Sequence, residues 1–222
     1  MHSQDLTERR IEAEAAEDDV AASSRSFGCG QHRLHLYEQH DPNRAELERF
    51  VQAAFATKHA AQIRHFMPTL LAMRNEKGSL CGVAGFRSAA RESLFLERYL
   101  DEPIECAIRT STRHDVSRSQ IVEVGNLAGV SCRAAMRLVL ELPRLLIARG
   151  QRWIVFTATD RVRSLLAGYR APLLELAAAR ANRVAAMRDD WGRYYETDPR
   201  VMLGYLPDGI SLHRSGLRQQ VS

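Results

Sequence analysis

The pattern of apolar and polar residues in the first half of the chain predicts a strand, a helix and a hairpin. Apolar residues alternate with polar ones over Arg33–Gln39, which is typical of a half-buried strand. A helix is expected after Asp41, the predicted N-cap, because apolar residues then recur at helical spacing. Two strand-like segments follow, Thr69–Arg74 and Leu80–Arg87, and the turn between them ends in Gly78. Together these two segments predict a hairpin.

Beyond the hairpin, helical and strand-like segments follow one another to the end of the chain. The predicted helices cover Ser93–Tyr99, Pro103–Thr112, Arg133–Arg149, Arg161–Tyr169 and Leu173–Met187, and the predicted strands cover Gln120–Leu127, Trp153–Thr159, Val201–Tyr205 and Ile210–His213. The residues of Trp153–Thr159 are nearly all apolar, so this strand is expected to be buried on both faces. Strand–helix–strand units favour parallel pairing, whereas the hairpin adds antiparallel pairing. The pattern therefore predicts one α/β domain with a mixed sheet over residues 28–215.

Composition separates the two ends of the chain from this domain. Residues 1–27 are rich in acidic residues, alanine and serine, so a disordered acidic tail is expected there, and residues 216–222 are expected to be a flexible C-terminus. Residues 1–26 hold seven acidic residues and three arginines, a net charge of −4, whereas the whole chain carries +4. The remainder therefore carries +8, but it has no cluster of basic residues interleaved with aromatic ones. A nucleic-acid partner is not expected.

The cysteine pattern and the length of the apolar runs argue against several classes of protein. Cys29, Cys81, Cys106 and Cys132 form no CxxC pair, which argues against a zinc site and a disulfide framework. No metal is therefore expected, and free thiols fit a reducing, cytoplasmic compartment. The apolar runs are only a few residues long, whereas a transmembrane helix needs about 20, so no membrane-spanning segment is expected. An N-terminal secretory signal is not expected either, and the oligomeric state stays open.

Six stretches of the chain resemble the thermostable hemolysin family. They are Leu94–Asp101, Pro103–Glu105, Val122–Ala128, Trp153–Thr159, Asp190–Tyr195 and Pro199–Met202, within roughly residues 32–207. The order of predicted elements is similar to that of the GNAT acyltransferase superfamily and, more distantly, to that of acyl-homoserine-lactone synthases, which share a glutamate on the corresponding strand. The resemblance implies a GNAT-like mixed, mostly antiparallel sheet with a central parallel strand pair and helices on both faces. It also implies an N-acyltransferase that moves an acyl group from acyl-CoA or an acyl-carrier protein to a small-molecule amine acceptor.

Glu123 is the residue on which the implied chemistry depends. A carboxylate inside the otherwise apolar strand Gln120–Leu127 is costly unless it is paired or functional. In an acyltransferase it would act as general base, because the acceptor amine loses a proton as it attacks the thioester. The alternative is a structural glutamate paired with an arginine such as Arg87. Asn126 is the second predicted catalytic residue, and its amide either holds substrate or satisfies the end of the strand.

A donor-binding site is expected where this strand parts from its neighbour, over Asn126–Gly129. Parting would expose backbone groups to the pantetheine arm of an acyl-CoA or acyl-phosphopantetheine donor, and Gly125 permits close approach. The predicted donor-binding residues are Leu127, Ala128, Gly129, Val130, Arg133, Phe156 and Thr157. Members of the superfamily place a glycine-rich loop before the next helix to hold pyrophosphate at its N-terminus, and this loop is absent here. Arg133 either contacts a phosphate in its place or is a solvated arginine.

The acceptor site is expected to combine charged and aromatic residues. The predicted substrate-binding residues are Arg87, Glu97, Tyr99, Asp101, Trp191 and Tyr195. By analogy with acyl-homoserine-lactone synthases, the acidic residues Glu97 and Asp101 would receive the amine; alternatively they pair with arginines at the surface. Trp191 and Tyr195, four residues apart, would share one helical face and bound an acyl-binding groove; alternatively they close the core.

Two other functions compete with acyl transfer. The family name suggests a membrane-active hemolysin, which would need an amphipathic element. The best candidate, Leu173–Met187, is interrupted by charged residues and its apolar side is mainly alanine, which buries little area at a membrane surface. The missing glycine-rich loop suggests the third possibility, a GNAT-like binding module without catalytic activity. The glutamate in the central strand favours the enzyme.

Overall fold

An eight-stranded sheet forms the centre of the molecule. The computed structural model describes residues 27–28 and 32–209, apart from the side chains of residues 27–28 and 185–189. The strands are β1 (Phe27–Gly28), β2 (His32–Tyr37), β3 (Thr69–Asn75), β4 (Leu80–Ser88), β5 (Ile121–Gly129), β6 (Trp153–Ala158), β7 (Leu173–Ala178) and β8 (Arg200–Tyr205). Their order in the sheet is β1-β2-β3-β4-β5-β6-β8-β7. Among these strands β5 and β6 run parallel, and the other neighbours are antiparallel. The expected mixed sheet with a central parallel pair is confirmed.

Helices cover both faces of this sheet. They are α1 (Arg44–His59), α2 (Ile104–Thr112), α3 (Cys132–Ala148) and α4 (Asp160–Gly168), with 3₁₀ helices at Phe95–Tyr99, Arg118–Gln120, Ala181–Trp191 and Tyr194–Thr197. Helix α3 packs on the face that carries Val122. Helices α1 and α2 pack on the opposite face, with α2 against Ile121. Because successive side chains of a strand point to opposite faces, Glu123 lies on the face that α1 and α2 cover.

Local signals explain where the helices begin. Ser131 caps α3, since its hydroxyl accepts a hydrogen bond from the Ala134 N–H over 3.1 Å. Helix α1 begins two residues later than predicted. The Asp41 carboxylate accepts a hydrogen bond from the Asn43 N–H over 2.8 Å and forms a turn, so Asn43 rather than Asp41 occupies the N-cap position.

The helix predicted over Leu173–Met187 is wrong. Its first six residues form β7, which pairs antiparallel with β8, and a 3₁₀ helix begins only at Ala181. The alanines and leucines favour a helix locally, but pairing with β8 supplies hydrogen bonds along the strand and outweighs this preference. The first part of the candidate amphipathic element of a membrane-active protein, Leu173–Ala178, is therefore an edge strand.

The strand β6 is also less buried than predicted. Val155 and Ala158 are buried, whereas Ile154, Phe156 and Thr157 are partly exposed because they line a cavity. The predicted strand Ile210–His213, the expected tail up to residue 26, Cys29 and the expected flexible end 216–222 lie outside the described residues. Within the described part of the chain, none of the helices has the length and apolar character needed to cross a membrane.

Candidate active site

The two parallel strands separate in the middle of the sheet. Pairing between β5 and β6 runs from Ile121 opposite Trp153 to Val124 opposite Phe156 and ends there, although β5 continues to Gly129. The expected parting is confirmed, and it begins just before Asn126. Beyond Val124, the edge of β5 that would face β6 has no strand partner within the part of the chain that the structure describes.

A β-bulge on the other side of β5 shapes the same place. Val83 pairs with Ala128 and Gly85 pairs with Gly125, so two residues of β5 lie opposite the single residue Ala84. One of the two, Asn126, has a left-handed φ of 50°, a conformation that asparagine tolerates better than most residues. The bulge and the parting together remove regular pairing from both edges of β5 at Asn126.

A cavity of about 810 Å³ occupies this opening, within the range typical of small-molecule sites. One end reaches Glu123, Arg87 and Tyr99. The other end extends between α3 and α4, where the wall is mostly aliphatic, and includes Met136, Val139, Leu140, Val162 and Leu165. The cavity thus connects a charged end with an apolar one through the gap between β5 and β6.

Glu123 is the buried charged residue at the polar end. Its side chain is only 4% exposed, and its two oxygens accept hydrogen bonds from the N–H groups of Phe95, at 2.8 Å, and Leu96, at 3.1 Å. Burial raises the pKa of Glu123 to about 7, more than the nearby Arg87 and the two N–H groups lower it. The carboxyl therefore changes its protonation state near neutral pH.

Arg87 lies directly opposite Glu123 on β4. Its Nε is 3.4 Å from the Glu123 carboxylate and 3.0 Å from the sulfur of Met67, and its Nη1 is 3.3 Å from Glu92. The pairing that was expected as a structural alternative is therefore present. It does not close the site, because Glu123 and Arg87 both line the cavity.

Met67 explains why glycines occupy Gly85 and Gly125. A Cβ atom at either position would come within 2.6 Å of the Met67 side chain, so the methionine lies in a groove that only glycines leave open. The Met67 N–H donates a hydrogen bond to the side-chain oxygen of Asn126 over 2.8 Å. Asn126 therefore fixes this segment as well as lining the cavity.

Aromatic residues form the wall next to Glu123. Tyr99 lines the cavity, and its hydroxyl is 2.7 Å from the hydroxyl of Tyr195. Burial raises the pKa of Tyr99, so this phenol stays protonated at neutral pH. Trp191 and Tyr194 line the cavity too, with ring centroids 5.2 Å apart.

Tyr195 rather than Tyr194 was predicted beside Trp191 because a continuous helix was assumed, but the segment is not one continuous helix. Gly192 has a φ of +51°, and a Cβ there would lie 2.3 Å from the carbonyl oxygen of His59, so the chain turns sharply at this point. The turn brings Tyr194 rather than Tyr195 to the cavity wall. Phe95 and the aliphatic residues of α4 that line the cavity were also missed, since nothing in their spacing distinguishes them from core residues.

Most of the predicted site residues meet at this cavity. Those that line it are Arg87, Tyr99, Glu123, Asn126, Leu127, Gly129, Val130, Phe156, Thr157 and Trp191. Two predicted donor-binding residues do not. Ala128 is buried against α1, on the opposite side of the strand from its neighbours Leu127 and Gly129, which line the cavity; Arg133 is exposed on α3 outside the cavity. Arg161 of α4 lies at the cavity instead, with Nη2 3.1 Å from the Cys132 sulfur.

Three predicted substrate-binding residues also lie outside the cavity. Glu97 accepts hydrogen bonds from the N–H groups of Leu94 and Ile104 and pairs with Arg118 at 2.7 Å. The Asp101 side chain is 94% exposed and pairs with Arg183 at 2.9 Å. For both acids the structure shows the alternative, pairing with arginine. The third is Tyr195, which lies behind Tyr99.

Among the described residues, no group of three or more His, Cys, Asp or Glu side chains is placed to hold a metal ion. Three cysteines, Cys81, Cys106 and Cys132, are free thiols.

Several solved structures share this fold, and two of the three described below are acyl-transfer enzymes by their descriptions. TofI in an apo form shares 12% identity at a TM-score of 0.57, over 82% of this chain and 95% of that chain. FeeM, an N-acyl amino acid synthase from uncultured soil microbes, shares 13% identity at a TM-score of 0.56, over 82% and 95%. MesI, a CoA-dependent acyl-homoserine lactone synthase, shares 15% identity at a TM-score of 0.52, over 83% and 94%. At these identities the likeness establishes the GNAT-like fold.

The sequence itself matches one family. No curated protein sequence matches the chain, but residues 37–210 match the sequence model of the family described as thermostable hemolysin. The match spans well over half of the chain, so the chain belongs to the thermostable hemolysin family.

Proposed function

We propose that this member of the thermostable hemolysin family is an N-acyltransferase. It moves an acyl group from a thioester donor, acyl-CoA or an acyl-carrier protein, to the amine of a small molecule. The observation that carries the proposal is Glu123, a buried carboxylate with a pKa of about 7 that reaches a cavity at the parting of two strands. The fold shared with acyl-homoserine lactone and N-acyl amino acid synthases agrees with it.

Glu123 acts as general base in this proposal. The amine nitrogen attacks the thioester carbonyl carbon, a C–N bond forms, and the C–S bond breaks. The proton lost by the nitrogen passes to the Glu123 carboxylate, directly or through water, and the departing thiolate takes up a proton to leave as a thiol. A base is most effective when its pKa lies near the working pH, and burial places the pKa of Glu123 there.

The donor would lie along the open edge of β5. Beyond Val124 this edge has no strand partner in β6, so its backbone groups are free to pair with the amides of a pantetheine arm, as an added strand would. The aliphatic wall between α3 and α4 then accommodates the acyl chain. The N-terminus of α3 and Arg161 lie at the same cavity, at the end that would receive a phosphate.

Ser131 bears on the choice of donor. Its hydroxyl accepts a hydrogen bond from the Ala134 N–H, so one of the few free N–H groups of the α3 N-terminus is already satisfied. The glycine-rich loop that would supply further N–H groups is absent. A site with fewer N–H donors favours the single phosphate of a carrier protein's phosphopantetheine over the pyrophosphate of CoA.

Thiol release tests the proposal directly. Purified protein is incubated with acyl-CoA and with acyl-carrier protein across a panel of amines, and free thiol and N-acyl product are measured. The Glu123→Gln variant is compared with Glu175→Gln, a change of the same chemistry on the exposed face of β7. Release that needs an amine and fails only in Glu123→Gln supports the proposal. No release with any donor, or equal turnover in both variants, contradicts it.

A further inference from the structure

A second pocket adjoins the charged end of the main cavity. It has a volume of about 400 Å³, and charged residues dominate its wall: Arg44, Glu48, Arg64, His65, Arg87 and Glu92. Three of these, Arg64, His65 and Arg87, line the main cavity as well. The two cavities therefore meet at three basic residues, of which Arg87 pairs with Glu123; one cavity is largely apolar and the other is charged.

One side of the second pocket is held rigidly. The buried Arg44 pairs with Glu48 at 2.7 Å and donates hydrogen bonds to the carbonyl oxygens of Pro68, at 2.7 Å, and Met67. Because these contacts occupy the Arg44 guanidinium, Arg44 shapes the pocket and is not free to bind a ligand. The same contacts fix the segment that carries Arg64 and His65.

The three shared basic residues keep unused hydrogen-bonding capacity. Arg87 donates through Nε and Nη1, and among the described residues no acceptor lies within hydrogen-bonding distance of its Nη2. The His65 imidazole is exposed and makes no hydrogen bond or ion pair with the described residues. The Arg64 side chain is 66% exposed and makes two long contacts, from Nε to Asp190 at 3.4 Å and from Nη2 to the side-chain oxygen of Gln62 at 3.5 Å. A carboxylate from solution would find three donors here.

We infer that the second pocket binds the carboxylate of the acyl acceptor, and that the acceptor is an α-amino acid. The inference rests on the proposed acyl transfer. Arg87 connects the two ends of such a molecule, because its Nε lies 3.4 Å from Glu123 while its Nη2 is free. In an α-amino acid the carboxylate and the amine are separated by one carbon, so a carboxylate bound at Nη2 leaves the amine within reach of Glu123. An amine without a carboxylate would leave the remaining donors of Arg87, His65 and Arg64 unused.

Measuring acceptor binding in the absence of an acyl donor tests the carboxylate site separately from catalytic turnover. Saturation-transfer NMR and calorimetry compare leucine and phenylalanine with the amines that remain when the carboxylate is removed, 3-methylbutylamine and phenethylamine. We expect the amino acids to bind at least ten-fold more tightly than the matched amines. Arg64→Ala should weaken amino-acid binding about five-fold or more and leave amine binding unchanged. Arg49→Ala, an exposed arginine of α1 outside both cavities, serves as the control and should change neither.

The outcomes separate the two proposals. Amino-acid binding that depends on Arg64, without thiol release from any donor, supports the carboxylate site and overturns only the proposed acyl transfer. Thiol release in which amines bind and react as well as amino acids, and in which Arg64→Ala has no effect, overturns the carboxylate site while acyl transfer stands.

Discussion

Glu97 and Glu123 are two glutamates held by the same stretch of chain, yet they have different properties. Each accepts two backbone N–H bonds from residues 94–104 and each lies near an arginine. Arg118 contacts Glu97 at 2.7 Å, whereas Arg87 is 3.4 Å from Glu123. Glu123 is also more buried and lines the cavity, whereas Glu97 does not.

These differences move the two pKa values in opposite directions. Burial raises the pKa of both carboxyls. For Glu97 the bonds from Arg118 and from the N–H groups of Ile104 and Leu94 outweigh burial, so the pKa lies below its usual value. For Glu123 burial outweighs Arg87 and the N–H groups, and the pKa rises to about 7. Two glutamates with similar partners can therefore be a permanent anion and a base, depending on burial and the distance to the cation.

The largest effect expected from this comparison is on catalysis by Glu123→Gln. Removing a general base lowers rates by about 100-fold or more, so kcat/KM for thiol release should fall by at least that factor. Circular dichroism and the thermal midpoint show whether the variant is folded. A folded Glu123→Gln protein with more than a third of the wild-type rate would contradict the role of base.

Glu97→Gln should affect stability instead. The substitution leaves Arg118 with a weaker partner and places an amide against N–H groups that need an acceptor. Breaking such a partly buried pair costs about 3 kcal/mol of unfolding free energy. Urea denaturation measures the loss. The rate per folded molecule, measured at low temperature, should stay within a factor of about 3 of wild type; a catalytic loss as large as that of Glu123→Gln would make the two glutamates equivalent.

The smallest effect is the pH dependence of stability, and its sign differs between the two glutamates. Glu123 binds its proton more tightly in the folded state, so its contribution to unfolding free energy falls as pH rises from the unfolded value near 4.5 to about 7. Glu97 binds its proton less tightly when folded, so its contribution is present above 4.5 and is lost as pH falls through its folded pKa.

Denaturation of both variants across this range checks the signs. Relative to wild type, the unfolding free energy of Glu123→Gln should increase by roughly 2 kcal/mol or less between pH 5 and 7. The difference by which the unfolding free energy of Glu97→Gln lies below that of wild type should become smaller as the pH falls below 4.5. Parallel curves for wild type and both variants would show that neither carboxyl is perturbed as described.

Much of the fold could be predicted because local pattern and tertiary structure agree. The hairpin β3–β4, the strand β5 and the capped helix α3 follow from alternation, helical spacing and turn residues. The segment that became β7 could not be predicted this way, since its leucines and alanines suit a helix and only pairing with β8 makes them a strand. Pairing partners distant in sequence leave no local signal.

The same distinction between local signals and distant contacts applies to the candidate site. Glu123 could be predicted because a carboxylate in an apolar strand is costly unless it is paired or functional. The parting near Asn126 followed from the resemblance. The sequence left open whether Glu97 binds substrate or pairs with an arginine. Its partner Arg118 lies about twenty residues away in sequence, so no local spacing indicates the pair. Met67, Tyr194 and the second pocket depend on loops that pack against the sheet, and no spacing within the sequence predicts those contacts.

The pH dependence of kcat/KM for thiol release tests the central claim, that Glu123 is the base, most directly. The wild-type rate should rise through a midpoint within about one unit of pH 7 and then level off. The Glu123→Gln variant should show a low rate from which this inflection has disappeared, which separates it from titration of the acceptor amine. An inflection retained unchanged in a folded Glu123→Gln variant would contradict the claim.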